Sequence, residues 1–207
     1  EAIVLHERLS KEEALKKSQE LLDLVEIPRE RYKRYPHEFS GGMKQRAMIA
    51  MALACDPKLI IADEPTTALD VMIQAQILNL LERLRRERSM GMILITHDLS
   101  ILGETCDHIA VMYAGKIVET GTVTDIFEHA RHPYTDRLIR CFPNIHGKKA
   151  IPEGIEGYPP NLLNPPAGCR FHPRCEYAFD RCRVEEPVTS HVGGEHTVAC
   201  HLVEETR

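Results

Sequence analysis

Two short apolar runs, each ending at an ionisable side chain, constrain the fold of this chain most strongly. The first covers residues 58–63 and is followed by Glu64, and the second covers residues 92–96 and is followed by His97. Such short runs predict parallel strands buried in a sheet. A helical pattern over residues 71–87 separates them. The order strand, helix, strand predicts an α/β layer fold.

The flanking segments predict further elements. Ser10 and Glu13 have the spacing of a capping box at the start of a helix. A second helix is expected over residues 43–54, a hairpin over residues 109–119, and two short helices near 123–130 and 133–141. After Cys141 the density of prolines excludes helices and central strands. This change predicts a linker leading into a small cysteine-rich tail.

Composition excludes several functional classes. Lys and Arg total 26 against 31 Asp and Glu, giving a net charge of −5, which argues against a basic nucleic-acid binder. Trp is absent and no run of eighteen apolar residues occurs, so neither a base-stacking platform nor a membrane span is expected. The odd count of seven Cys and the missing secretory signal indicate a reducing, cytoplasmic compartment.

The ends of the two predicted strands carry candidate catalytic residues. Ligands of open α/β sheets bind at the carboxyl ends of strands. There, one of Asp63 and Glu64 can hold a magnesium ion while the other orients a water, and His97 can reach a phosphate oxygen. The alternative is a solvated Asp-Glu turn and a structural histidine.

Ser40, Gly41 and Gly42 open the second predicted helix. Free backbone N–H groups and the helix dipole favour an anion at this position, and glycines allow a phosphate to approach closely. An ordinary loop with a serine cap is the alternative.

Together these segments resemble the conserved motifs of ABC-type ATPases, in the order found in that family. Phe39–Arg46 resembles the signature motif and Leu59–Thr66 the Walker B strand; Thr67–Asp70 resembles the D-loop and Thr96–Asp98 the switch histidine. The resemblance implies a partial P-loop ATPase domain, with part of the parallel sheet core and a helical subdomain over residues 1–50.

The resemblance also implies roles for individual residues. Asp63 would hold Mg²⁺, Glu64 would activate the hydrolytic water, and His97 would contact the γ-phosphate of ATP. Asp70 would communicate across an ATPase dimer. The signature residues would bind ATP held by the opposite subunit; they are Ser40, Gly41, Gly42 and Gln45.

One element of the family pattern is missing from this sequence. No G-x-x-x-x-G-K-[ST] occurs in it, and the first residue is Glu1. We therefore expect an N-terminally truncated chain that lacks the main phosphate cradle and is inactive as an ATPase on its own.

Cys169, Cys175, Cys182 and Cys200 crowd into the last part of the chain with the spacing C-x5-C-x6-C-x17-C. Four thiolates can hold an iron–sulfur cluster, whose ligand spacing varies. Nearby His172, His191, His196 and His201 keep a zinc site open, although zinc-ribbon pairs are usually closer in sequence. Two disulfides or inert thiols are the remaining alternative.

This tail resembles the C-terminal extension of oligopeptide and dipeptide importer ATPases, as does the segment His132–Thr135. The resemblance implies a [4Fe–4S] cluster at the four cysteines and a division into an ATPase part, 1–141, and a linker with extension, 142–207. It implies a peripheral protein at the cytoplasmic face of the plasma membrane. The implied partners are a second ATPase subunit, transmembrane permeases and, indirectly, a solute-binding protein. Nucleic acid is not an expected partner.

Other functions stay open at this point. An ABC importer ATPase can serve a nickel chelate or an oligosaccharide instead of a peptide. Non-transport ABC ATPases act in repair or translation, but the importer-like tail argues against that class. A non-catalytic iron–sulfur or zinc regulatory module is a further alternative.

Overall fold

The structure is a computed structural model that describes residues 1–141 and 154–204. The chain divides into two compact units, Glu1–Asp98 and Leu99–Arg207. Each unit is described by itself. Within the described ranges, no helix has the length and apolar character needed to cross a membrane.

The first unit combines four helices with a two-stranded sheet. Single 3₁₀ turns lie at Arg29–Arg31 and Pro36–Glu38. In chain order its main elements are α1 (Ala2–Glu7), α2 (Lys11–Leu24), α3 (Gly41–Ala52), β1 (Leu59–Asp63), α4 (Val71–Arg88) and β2 (Gly91–Ile95).

The two predicted strands pair in parallel, as expected. Leu59 pairs with Gly91 and Asp63 with Ile95, so both strands end at the same edge. The strands were expected to be buried, and β1 is buried on one face only. Ile60 is buried in the core, whereas the outer face of β1 is open and Ile61 is 63% exposed. A two-stranded sheet covered by helices on one side leaves alternate side chains in solvent, because side chains alternate between the faces of a strand.

Helix faces form the core of this unit. The inward residues of α4 are buried, with Ile77 and Leu84 fully enclosed. They pack in one cluster with Leu21 and Val25 of the α2 region and Leu53 at the end of α3. The predicted capping box is present: Ser10 Oγ accepts from Glu13 N at 3.2 Å, and Ser10 N donates to Glu13 Oε2 at 2.8 Å.

The second unit is built on a four-stranded antiparallel sheet with strand order β3-β4-β6-β5. A 3₁₀ turn lies at His172–Arg174. In chain order the elements are α5 (Leu99–Thr105), β3 (His108–Tyr113), β4 (Lys116–Thr122), α6 (Val123–His129), α7 (Pro133–Arg140), α8 (Asp180–Val184), β5 (Thr189–Gly193), β6 (His196–Ala199) and α9 (His201–Glu204).

The predicted hairpin and both short helices are present, whereas β5 and β6 were not anticipated. β6 pairs with β4, where Glu119 lies opposite Val198, so the cysteine-rich extension and the hairpin share one sheet. Part of the predicted linker, residues 142–153, lies outside the described residues. The predicted division of the chain at Cys141 stays a prediction.

Candidate functional site

The structure brings Glu64 and His97 together at the carboxyl edge of the parallel sheet. Glu64 follows β1, and its backbone N donates to Ile95 O at 2.9 Å, which continues the strand pairing by one residue. His97 Nδ1 lies 2.8 Å from Glu64 Oε1 and 3.0 Å from Oε2. Thr67 Oγ1 donates to Glu64 Oε2 at 2.6 Å. A carboxylate in reach of solvent is thus oriented by two neighbours.

Electrostatics in this pair follow from its contacts. The hydrogen bond from His97, and then that from Thr67, lowers the pKa of Glu64. The same contact with Glu64 raises the pKa of His97 above its usual 6.5. Because the His97 side chain is 79% exposed and that of Glu64 39%, solvent screens the attraction between them, and the pair adds little to stability. Its effect is on protonation and orientation.

We expect His97 to titrate above the usual histidine midpoint, and the Glu64→Gln variant to return that midpoint toward about 6.5. Any stabilisation by the ion pair is then fully present below about pH 6.5 and is lost as the pH rises through the raised pKa of His97. NMR titration of the imidazole measures both values. An unchanged His97 midpoint in Glu64→Gln would contradict the expectation.

Asp63 and Glu64 differ in environment although they are adjacent. Asp63 ends β1 and is exposed, while Glu64 is partly buried with a φ of +48°. Non-glycine residues rarely adopt this left-handed conformation, and such strain clusters at functional sites. The backbone turn directs the Glu64 carboxylate to His97 and Thr67, which leaves Asp63 available as a hard oxygen ligand of the kind Mg²⁺ prefers.

Ser40, Gly41 and Gly42 form the start of α3. Ser40 is the N-cap residue, with its Oγ 3.4 Å from Met43 N. A Cβ on Gly42 would lie 2.7 Å from a methyl group of Ile73 on α4, and one on Gly41 would lie 3.2 Å from a methyl group of Leu69. Glycines therefore let the start of α3 pack directly against the start of α4.

Asp70 and Gln45 lie next to the junction of α3 and α4, where the starts of the two helices pack together. Asp70 is the N-cap of α4, and its Oδ1 accepts from Ile73 N at 2.9 Å. Gln45 is partly buried on α3, one helical turn after Gly41. In the part of the chain that the structure describes, no hydrogen bond joins this junction to the Glu64–His97 pair. The predicted roles of both groups stay predictions.

Thr67 was missed by sequence reasoning as a partner of Glu64. Its hydroxyl contacts the carboxylate because the segment after Glu64 forms a turn, in which Thr67 N donates to Glu64 O at 3.2 Å. The available signal was the spacing of three residues between a carboxylate and a hydroxyl, which is common in turns.

The four predicted metal ligands line one cavity of the second unit. Cys182 and Cys200 are buried, Cys169 and Cys175 are partly buried, and none of the four forms a disulfide. Cys169 N donates to Cys182 O at 2.9 Å, and this bond joins the chain segments that carry two of the four cysteines. Of the four nearby histidines, His172 and His201 line the cavity. His191 and His196 belong to β5 and β6.

Burial determines the chemistry of these thiols. Burial raises the pKa of Cys169 and Cys175, and raises that of Cys200 to about 12. Backbone N–H groups oppose this shift: those of Phe171 and His172 act on Cys169, that of Tyr177 on Cys175 and that of Leu202 on Cys200. N–H donors directed at buried sulfurs stabilise thiolates.

The arrangement suits a metal–thiolate centre in its donor chemistry. Across residues 1–141 and 154–204, no group of three or more His, Cys, Asp or Glu side chains is arranged so that it could hold a metal ion. In these ranges the four cysteines line one cavity, but their side chains are not arranged as the ligands of a metal ion. Sequence reasoning missed a further cavity residue, His132, whose Nε2 is buried without a partner among the described residues.

Two protein families match this chain. Residues 2–67 match the ABC transporter family, and residues 118–182 match the family described as oligopeptide/dipeptide transporter, C-terminal region. The first match contains Ser40–Gly42 and Glu64, and the second includes Cys169, Cys175 and Cys182.

Curated relatives are similar along nearly the whole chain. The dipeptide transport ATP-binding protein DppD of Haemophilus influenzae is 50% identical over 203 residues, which cover 97% of this chain and 61% of that protein. The oligopeptide transport ATP-binding protein OppD of Salmonella typhimurium is 48% identical over 207 residues, covering 99% and 62%. The chain thus spans about three fifths of the length of these relatives.

Solved structures show the same fold. The ADP-bound ATP-binding cassette MJ1267 of an ABC transporter matches with a TM-score of 0.55 and 25% identity, over 63% of this chain and 51% of that one. Clostridium perfringens cbiO1, part of the ABC transporter complex cbiONQ, matches with a TM-score of 0.54 and 31% identity, over 60% and 49%. The predicted α/β ATPase fold is confirmed. The family matches and the curated relatives agree: this chain is similar to ABC transporter ATP-binding proteins, and its C-terminal part matches the oligopeptide/dipeptide transporter C-terminal region.

Proposed function

We propose that this chain forms part of an ATP-hydrolysing subunit of an ABC importer that takes up oligopeptides or dipeptides. The observation that carries the proposal is the contact between His97 Nδ1 and Glu64 at the shared edge of β1 and β2. This contact supports the proposal, because ATP hydrolysis needs a general base and a group that can hold a proton or contact a phosphate.

Each residue of this edge has a proposed part in hydrolysis. Glu64 orients and deprotonates the attacking water, and Thr67 and His97 hold its carboxylate in position. His97 also contacts the γ-phosphate. Asp63 would hold Mg²⁺, mostly through water, and the ion would neutralise charge on the phosphates.

The junction of α3 and α4 is proposed to act across a dimer. The free N–H groups of Gly41 and Gly42 at the start of α3 suit the γ-phosphate of ATP bound by the opposite subunit, with Ser40 and Gln45 beside it. Asp70, at the start of α4, communicates between the two sites. Hydrolysis then depends on closure of the dimer, and residues 1–207 alone are inactive because this sequence contains no G-x-x-x-x-G-K-[ST].

Peptides are the proposed substrate class because OppD and DppD, about 50% identical to this chain, are named as oligopeptide and dipeptide transport proteins. The subunit would bind permease subunits at the cytoplasmic face of the plasma membrane and depend on an extracytoplasmic solute-binding protein. Its own partner is a second ATPase subunit, identical or related.

The four cysteines are proposed to hold a [4Fe–4S] cluster, with zinc as the alternative. Support comes from the cavity that all four line and from the N–H groups directed at Cys169, Cys175 and Cys200. The cluster would have a structural or regulatory part and no part in the transport chemistry.

Uptake by the reconstituted importer tests the function. Proteoliposomes containing the intact ATPase, its permeases and its solute-binding protein should accumulate a labelled oligopeptide or dipeptide only with ATP. The same vesicles with Glu64→Gln should show background uptake. Accumulation of a nickel chelate or an oligosaccharide, with no peptide uptake, would contradict the peptide assignment and leave the ATPase assignment in place.

A further inference from the structure

His132 is one of two almost fully buried histidines that line the cysteine cavity in the described part of the chain; the other is His201. His132 is 1% exposed, and it lines the cavity together with Cys169, Cys175, Cys182 and Cys200. Its Nε2 has no hydrogen-bond partner among the described residues. A buried donor or acceptor left unpaired is costly, because it loses its hydrogen bonds to water, so native proteins rarely retain one.

The contacts of His132 determine which nitrogen carries the proton. His132 is the N-cap of α7, and its Nδ1 accepts from Tyr134 N at 3.0 Å. A nitrogen that accepts a hydrogen bond carries no proton, so the proton of the ring is on Nε2. The unpaired group is therefore an N–H donor, and the cavity must supply an acceptor. Burial, which lowers the pKa of His132 to about 4, is consistent with this neutral tautomer.

The ring is also held in place from its backbone and its face. His132 N donates to Glu119 Oε2 at 3.1 Å, and the buried Glu119 also accepts from Arg131 N at 2.6 Å. The ring of Phe171, between Cys169 and Cys175 in the sequence, lies 5.8 Å from the imidazole by centroid distance. A donor held this firmly keeps its direction at little entropic cost.

His201, the other buried histidine of the cavity, also has its ring proton on Nε2, but that N–H already has an acceptor. Its Nε2 lies 2.9 Å from the carbonyl oxygen of Glu185, so the proton is on Nε2 and points away from Nδ1. In the neutral ring Nδ1 then has a lone pair and no hydrogen; it lies 3.6 Å from Glu204 Oε2 and has no hydrogen-bond partner among the described residues. Of these two histidines, His132 alone has an N–H available.

We propose that Nε2–H of His132 donates a hydrogen bond to a sulfur of the metal–thiolate centre held by Cys169, Cys175, Cys182 and Cys200. His132 is thus a positioning residue that stabilises the centre and tunes it without being a ligand. The inference rests on the proposed metal site. Anionic sulfur suits a buried, otherwise unpaired donor, and hydrogen bonds to the sulfurs help set the potential of an iron–sulfur cluster.

The test compares His132→Asn with His132→Gln in the purified intact protein, loaded anaerobically with ferrous iron and sulfide. Asn keeps an acceptor for Tyr134 N and remains a good N-cap, but it has no donor at the position of Nε2. Gln places an N–H₂ group near that position. We expect His132→Asn to lose iron to a chelator about 10- to 100-fold faster than wild type, and its midpoint potential to become more negative. His132→Gln should recover part of both.

Thr135→Val is the matched control. Thr135 is fully buried on the same helix, and its Oγ1 also lacks a partner among the described residues, but it is not one of the residues that line the cavity. Iron release and potential should match wild type. If His132→Asn also matches wild type in both, the inference is overturned while the metal site stands. If wild type takes up no iron, sulfide or zinc, the metal site itself is wrong and the inference falls with it.

Discussion

Replacing Glu64 with Gln should lower ATP turnover by the intact, assembled importer ATPase by about 10²–10⁴-fold, the range that a positioned general base contributes. Gln has the shape of Glu and keeps an oxygen for the hydroxyl of Thr67, which lies 2.6 Å from the carboxylate. It cannot accept the proton of the attacking water. ATP binding should persist, because the substitution removes a base and no phosphate ligand. Phosphate release and nucleotide binding measure the two effects separately.

Glu12→Gln is the control for the Glu64 experiment. Glu12 is exposed in the first turn of α2. Its substitution makes the same chemical change as Glu64→Gln at a position outside the sheet edge. Its turnover should equal that of wild type. Turnover by Glu64→Gln within about threefold of wild type would remove Glu64 from the role of general base and leave the edge without one.

Gly168→Ala should destabilise the second unit by about 2–4 kcal/mol and abolish metal uptake at the cysteines. Gly168 has a φ of +65°, and a Cβ there would lie 2.5 Å from Cys182 O and 2.9 Å from Val184 N. These are backbone atoms of α8, so no side chain can rotate away. Overpacking of this kind costs about 1–3 kcal/mol, and a non-glycine residue in left-handed backbone about 1 kcal/mol more. Relief of the clash would separate Cys169 from Cys182.

Gly194→Ala is the matched control, because Gly194 has a φ of +51° and a Cβ there would meet no atom within 4 Å. It should cost about 1 kcal/mol, the conformational term alone, and leave metal uptake intact. Denaturant unfolding and iron and sulfide analysis follow both variants. Equal destabilisation by the two would show that contact with α8 does not make glycine necessary at position 168.

Local patterns predicted most elements, because they depend on neighbouring residues. The capping box at Ser10, the helix α4 and the parallel pair β1 and β2 were all readable from spacing and apolar periodicity. The strands β5 and β6 were not, since residues 189–199 are rich in Gly, His and Thr, and β6 pairs with β4, where Glu119 lies opposite Val198 almost eighty residues away. Burial of only one face of β1 likewise depends on which elements cover the sheet.

The candidate site, too, could be predicted from the sequence only in part. The order of the motifs in the sequence identified Glu64, His97 and the glycines of α3 as candidates. The four cysteines were identified by their residue type and by their clustering near the end of the chain. Tertiary structure decided that His97 contacts Glu64, that Thr67 joins them, and that His132 shares the cysteine cavity. Sequence thus determined which chemical groups are present and which elements carry them. The contact of Thr67 with Glu64 arises within one turn, whereas those of His97 with Glu64 and of His132 with the cysteine cavity arise from packing between distant segments, whose distances local sequence does not encode.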